Sequence, residues 1–292
     1  MTLVTPLRIV FVALSFVIGF GLTVAGVLSL FDSIQVSVSG QSYLDSPLPF
    51  SFASHAYTPL IGAITLLSGF AALRQRWHVL ELACWFLLGT GVVDALYTIW
   101  VLGRYGVAPD ATNGAIVAAW VLFAMFGLLL AASHRPQEPR SHAPAPASAQ
   151  ETIRLRNTLI GLVAVSYIWR AIAMWLRPGL TYAIAYLQGI TESYGPDQVI
   201  LSVVVGLCLV AVLAVCAAVA SSTSERVTHG TLALTAGFAL EGFFDTLDYF
   251  FRFGSLRELN YSMQDAVAFV ACCTALALSL RAKGLSSRPA TV

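Results

Sequence analysis

Apolar positions in this chain fall in long, nearly unbroken runs rather than in the alternation of half-wet strands or surface helices. Eight runs approach the ~20 residues that a helix needs to cross the hydrocarbon core of a bilayer. They cover residues 7–31, 56–73, 79–102, 114–132, 158–177, 198–220, 230–252 and 262–281. The pattern predicts an all-α, polytopic integral membrane protein with eight transmembrane helices. The first run, Leu7 to Phe31, is much longer than the apolar core of a cleavable signal peptide, and is read as a retained first span.

Three segments break the pattern. Between the fourth and fifth spans, HRPQEPRSHAPAPASAQ (134–150) is rich in Pro and Ala, and reads as a flexible linker. Between the first and second spans, alternation at Ile34, Val36 and Val38 predicts a short strand or hairpin arm. Another loop, from Pro178 to Asp197, carries Tyr182 and Tyr186 and is expected to lie along the interface; Trp77, Trp100 and Trp175 suit the same depth.

The spans repeat in a recognisable order. Gly91, Asp94 and Leu96 in the third span match Gly242, Asp245 and Leu247 in the seventh, at an offset of 151 residues. At the same offset, Asn113-Gly114-Ala115 matches Gln264-Asp265-Ala266 at the start of the fourth and eighth spans. Leu7-Arg8 and Leu155-Arg156 precede the first and fifth spans. These matches predict a parallel 4+4 tandem repeat: a first four-helix half at 1–133, a cytoplasmic linker at 134–156, and a second half at 157–292.

Composition agrees with burial in lipid. The chain is 58% hydrophobic and 11% charged, against about 25% charged in a soluble domain. A net charge of +1 gives no footprint for nucleic acid. Of the sixteen basic residues, eleven fall on one side of the eight spans, four on the other and Arg170 within a span. The positive side is cytoplasmic, so both termini and the linker are expected in the cytoplasm of a plasma-membrane protein. All five cysteines lie in apolar runs without a C-x-x-C pair, and are expected to be buried and unreactive.

The candidate chemistry is acidic. Glu241, Asp245, Asp248 and Arg252 are spaced 4, 3 and 4, which places them on one helical face. Thr90, Asp94 and Tyr97 echo that stripe in the third span, and Ser166, Arg170, Ala173 and Arg177 form a face in the fifth. At 1.5 Å per residue, Arg170 lies ~20 Å from the inner side, close to Glu241 (~16 Å), Asp245 (~22 Å) and Asp94 (~22 Å). Asp265 joins from the outer start of the eighth span. Five acids thus face Arg170 and Arg252. A carboxylate at the bilayer centre costs about 2.5–3.5 kcal/mol even on the lenient insertion scale. The surplus acids must be protonated, hydrated, or paired with a cation.

Three functions fit: a transporter or cation- and small-ligand-binding protein, an intramembrane enzyme acting on a lipid or isoprenoid, and an accessory subunit of a membrane complex. The expected partners are the bilayer, a cation, proton or small lipophilic ligand, and a second copy or a complex. No nucleotide, zinc-protease or serine-hydrolase motif occurs, no span holds a Lys for a Schiff base, and no cofactor or metal is expected. The bland alternative is an Arg170–Asp245 pair that merely ties the bundle together. Glu81 is expected to favour the start of the third helix through its dipole. His55 and His229 are expected at opposite ends of spans.

The basic turn LRQRWH (73–78), followed by Asp94-Ala-Leu-Tyr97, loosely resembles the four-helix EXPERA unit of the emopamil-binding protein family. The resemblance spans His55 to Ala132, about a quarter of the chain. It implies sterol-isomerase or lipid-binding activity. The acid and His of that family's first helix have no counterpart between Leu7 and Phe31.

Overall fold

The computed structural model describes residues 4–38, 52–105, 111–134, 147–176, 224–253 and 256–286. They form seven helices: α1 (Val4–Val38), α2 (Phe52–Leu73), α3 (Trp77–Tyr105), α4 (Ala111–His134), α5 (Ala147–Leu176), α6 (Glu225–Phe253) and α7 (Leu256–Ser286). No strand occurs among the described residues. Helices α1 to α5 carry the first five predicted spans; α6 and α7 carry the seventh and eighth. The sixth, 198–220, lies outside the described residues, as does the Pro178–Asp197 loop.

Among the described residues, three segments are long and apolar enough to cross a membrane: Thr5–Phe31, Ala56–Leu73 and Leu259–Ala282. Their outward faces are greasy. Ile9, Val17, Phe20, Leu28 and Phe31 are exposed on α1, and Met263, Val267 and Val270 on α7. Each exposed apolar Å² costs roughly 25 cal/mol in water, and lipid removes that cost. The chain is a membrane-embedded helical protein.

Four expectations change. Ile34, Val36 and Val38 belong to α1 rather than to a strand. Once a helix is nucleated each further residue adds a hydrogen bond, and that gain outweighs a short β-like alternation. Helix α5 begins at Ala147, so the last part of the linker is helical; Ala and Gln there are good helix formers. Glu81 lies beyond the first turn of α3, where the dipole has faded, and it is buried. Cys84 and Cys272 are buried as expected, but Cys273 is exposed on α7.

The chain divides into two compact units. The first comprises Met1–Gly91, Ala119–Gln137 and Gly237–Ala266. Within it α1 and α2 pack antiparallel through small residues. A Cβ on Gly69 would sit 2.7 Å from Ser15 Cβ, and one on Gly19 would sit 2.9 Å from the Gly62 carbonyl oxygen. Membrane helices associate through such close approach, because lipid offers no hydrophobic drive to pack. The hydroxyls at this seam stay satisfied within their own helices: Ser15 donates to Phe11 O (2.8 Å), Thr23 to Gly19 O (2.7 Å) and Thr65 to Ile61 O (2.8 Å). Phe11 then stacks on Phe123 of α4 at 5.0 Å, over a core that includes Leu80, Cys84, Leu87 and Leu130.

The second unit comprises Val92–Ala118, Glu138–Ala236 and Val267–Val292. Its buried positions recur at helical spacing: Arg156, Ile160, Val163 and Tyr167 on α5, and Cys272, Ala275, Ser279 and Ala282 on α7. The alanines and the serine are small enough for close helix approach.

Candidate functional site

Of the predicted acidic stripe, two side chains are described, and both are buried. Glu241 is 8% exposed on α6 and Asp265 is 1% exposed on α7. Gly242 is what lets Asp265 in: a Cβ there would stand 2.9 Å from Asp265 Oδ2. One turn earlier on α7, Ser262 donates to Phe243 O at 3.1 Å. Thr246 donates back to Gly242 O at 2.7 Å. The C-terminal half of α6 and the N-terminal half of α7 are therefore joined through polar groups around a glycine, and the Asp265 carboxyl lies inside that joint. Beside it, Oε1 of Gln264 is buried with no hydrogen-bond partner among the described residues.

Helix α6 runs unbroken through Glu241, Asp245, Asp248 and Arg252, as the 4, 3, 4 spacing requires. Asp94 and Tyr97 lie within α3, and Arg170 within α5. The side chains of Asp94, Tyr97, Arg170, Asp245, Asp248 and Arg252 lie outside the described residues, as does that of His55.

The third span's echo of the stripe takes a different form. Thr90, at the position corresponding to Glu241, is fully buried. Its Oγ1 accepts a hydrogen bond from Trp120 Nε1 at 3.2 Å, while the same indole N–H lies 3.1 Å from Leu87 O. Gly91, the counterpart of Gly242, faces the Trp120 ring, with a Cβ position 2.8 Å from Cδ1. Each motif glycine thus faces the next helix in the chain. An indole fills the space in one case and a carboxyl in the other.

A second polar cluster, in the other unit, was not anticipated. Arg156 of α5 is 8% exposed; its Nη1 donates to Ser279 Oγ of α7 at 3.3 Å. Its Nε and Nη2 both donate to Asn157 Oδ1, at 3.0 and 2.8 Å. Nε2 of His229, on α6, lies 2.8 Å from the same Ser279 Oγ. His229 and Ser279 are each 2% exposed. Burial pushes the Arg156 pKa down, and the negative charge of Glu225 pulls it back up; a guanidinium so placed remains a cation at physiological pH. The sequence did carry a signal. Arg156 is the basic member of the Leu-Arg pair before the fifth span, and the Ser279 hydroxyl is polar within an apolar run.

Among the described residues no group of three or more His, Cys, Asp or Glu is placed to hold a metal ion. Comparison with protein-family models, curated proteins and solved structures finds no match to this chain.

Proposed function

We propose that the protein is a multi-pass plasma-membrane protein that binds or transports a cation, proton or small ligand at an outward-facing acidic site. In this reading eight helices cross the bilayer as a parallel 4+4 repeat, with both termini and the linker cytoplasmic. The site lies between the third, fifth, seventh and eighth spans. Asp94, Glu241, Asp245, Asp248 and Asp265 supply negative charge, Arg170 and Arg252 offset part of it, and Tyr97 supplies a hydroxyl.

The observation that carries the proposal is the burial of Glu241 and Asp265 at the α6–α7 joint. Acids held out of water within a membrane protein are costly, and are retained where protons, ions or polar ligands move. The matched glycines support the repeat: Gly91 packs on Trp120 and Gly242 on Asp265. Glu241 stands where the first half has the neutral Thr90, so the second half contributes four of the site's five acids and the first half one, Asp94.

The test is flux into proteoliposomes containing the purified full-length chain, read with pH- and cation-sensitive dyes. Wild type is expected to dissipate an imposed proton or monovalent-cation gradient. Glu241→Gln and Asp265→Asn are expected to lower that rate at least ~10-fold while melting within a few degrees of wild type. Flux that survives both substitutions would sink the proposal. So would an inert wild type whose acidic variants simply unfold, because the acids would then be structural.

A further inference from the structure

We propose that the inner end of the first unit is a binding surface for the phosphate headgroup of an anionic phospholipid, held by Arg8, Arg74 and Arg76 beside the stacked Trp77–His134 pair.

The surface is built by a very tight turn. Gln75 N–H donates to Ala72 O at 3.2 Å and Arg76 N–H to Ala71 O at 2.8 Å, around a left-handed Gln75 with φ 57°. That pattern closes the last carbonyls of a helix and turns the chain within two or three residues. Leu80 N–H then bonds Arg76 O at 3.1 Å, so Arg76 caps the start of α3. Arg74 and Arg76 are therefore fixed on either side of one residue, and both are exposed. The apolar segment Ala56–Leu73 stops one residue before Arg74, which puts the turn at headgroup depth.

Two further elements reach this level. The α1–α2 register that sets Ser15 against Gly69 continues to place half-buried Arg8 at the height of Arg76. At the end of α4, the His134 ring stacks on Trp77 with centroids 4.0 Å apart and planes 16° apart. His134 Nδ1 lies 2.9 Å from Leu130 O and so carries a proton, which fixes the ring. Trp beside arginines at the edge of an apolar helix matches the polarity gradient of the headgroup layer. Among the described residues of this end, Glu81 is the one acid, and it is buried.

The chemistry favours a phosphodiester. A guanidinium presents paired N–H donors to two phosphate oxygens, and three guanidinium groups around a short turn exceed the charge of one headgroup. The membrane supplies that anion continuously at this depth, whereas a soluble anion must compete with it. The surface shares no residue with the acidic site: Arg8, Arg74, Arg76, Trp77 and His134 are all outside it.

The test is native mass spectrometry of the full chain released from detergent with equal amounts of phosphatidylglycerol and phosphatidylcholine. Wild type is expected to retain the glycerol lipid preferentially. Arg74→Gln with Arg76→Gln is expected to cut that preference by roughly 25-fold, at about fivefold for each arginine. Both side chains are exposed, and Arg74→Gln alone, melting as wild type does, is expected to show the single-residue step. Arg154→Gln with Arg226→Gln, exposed on α5 and α6, is expected to leave the preference intact. Equal loss in that control would mean diffuse surface charge and overturn the proposal. Displacement of the lipid by millimolar inorganic phosphate would show a soluble-anion site and overturn it as well, as would absence of any preference.

Discussion

Asp265 owes its place to Gly242: the carboxyl of one helix occupies the volume that any other residue on the facing helix would fill. Gly242→Ala must displace a short, buried side chain rather than a flexible tip. Overpacking of this kind costs about 1–3 kcal/mol. A melting point several degrees lower in detergent, together with reduced flux in proteoliposomes, is the expected outcome. Gly161→Ala is the control, because no atom of another part of the described residues lies within 4 Å of its Cβ position; it is expected to melt at or slightly above wild type.

Gly237 provides a harsher version of the same test. A Cβ there would collide with the Phe86 carbonyl oxygen, a backbone atom that cannot rotate away. Gly237→Ala is therefore expected to destabilise more than Gly242→Ala, and to reduce the yield of folded protein measured by size-exclusion chromatography.

Ser279 serves two buried partners at once. Ser279→Ala removes the acceptor of an Arg156 hydrogen bond and the hydroxyl beside His229. Losing a hydrogen bond to a buried charged group costs about 1.5–3 kcal/mol. Scanning fluorimetry should report a clear drop in melting temperature. Ser279→Thr keeps the hydroxyl and is expected to lose less. Equal melting of wild type and Ser279→Ala would show that water or another group replaces the hydroxyl at no cost.

The Trp120 indole N–H is shared between Leu87 O and Thr90 Oγ1. Trp120→Phe keeps most of the ring and removes the indole donor, while Leu87 O still accepts from the Thr90 hydroxyl at 2.8 Å, so the cost is about 1 kcal/mol at most. It is expected to leave flux unchanged, since neither Trp120 nor Thr90 is among the residues assigned to the site. A loss of flux equal to that of Asp265→Asn would instead make Trp120 part of it.

Orientation is checked by labelling. With native cysteines replaced, Glu151→Cys on exposed α5 and Asn260→Cys on exposed α7 present thiols at opposite ends of spans. An impermeant maleimide added to intact cells is expected to modify only the second, and to reach the first after permeabilisation. Labelling of Glu151→Cys in intact cells would invert the topology.

Much of the fold was legible because lipid imposes one rule: apolar length with internal hydrogen bonding. That rule placed α1, α2 and α7 within a few residues of the observed helices. It could not see Ile34 to Val38 extending α1, because a two-residue alternation and a helix end look alike in a short run. Acids within the spans were legible as a spacing on α6 and as Asp265 at the start of the eighth span, but that Glu241 and Asp265 are buried comes from their packing. The role of Gly242 was not legible, since a glycine's meaning depends on what faces it. The Arg156–Ser279–His229 cluster joins residues up to 123 positions apart on three helices; no local period connects them.

The turn at Gln75 has a consequence for how the protein is made. In the proposed eight-span arrangement, so few residues separate α2 from α3 that they cannot be handed to the bilayer far apart in time or space, and must be accommodated together as one hairpin. A reporter or protease site inserted at Arg74–Arg76 would therefore interrupt biogenesis itself, whereas the same insertion ahead of Ala147 leaves every hairpin intact.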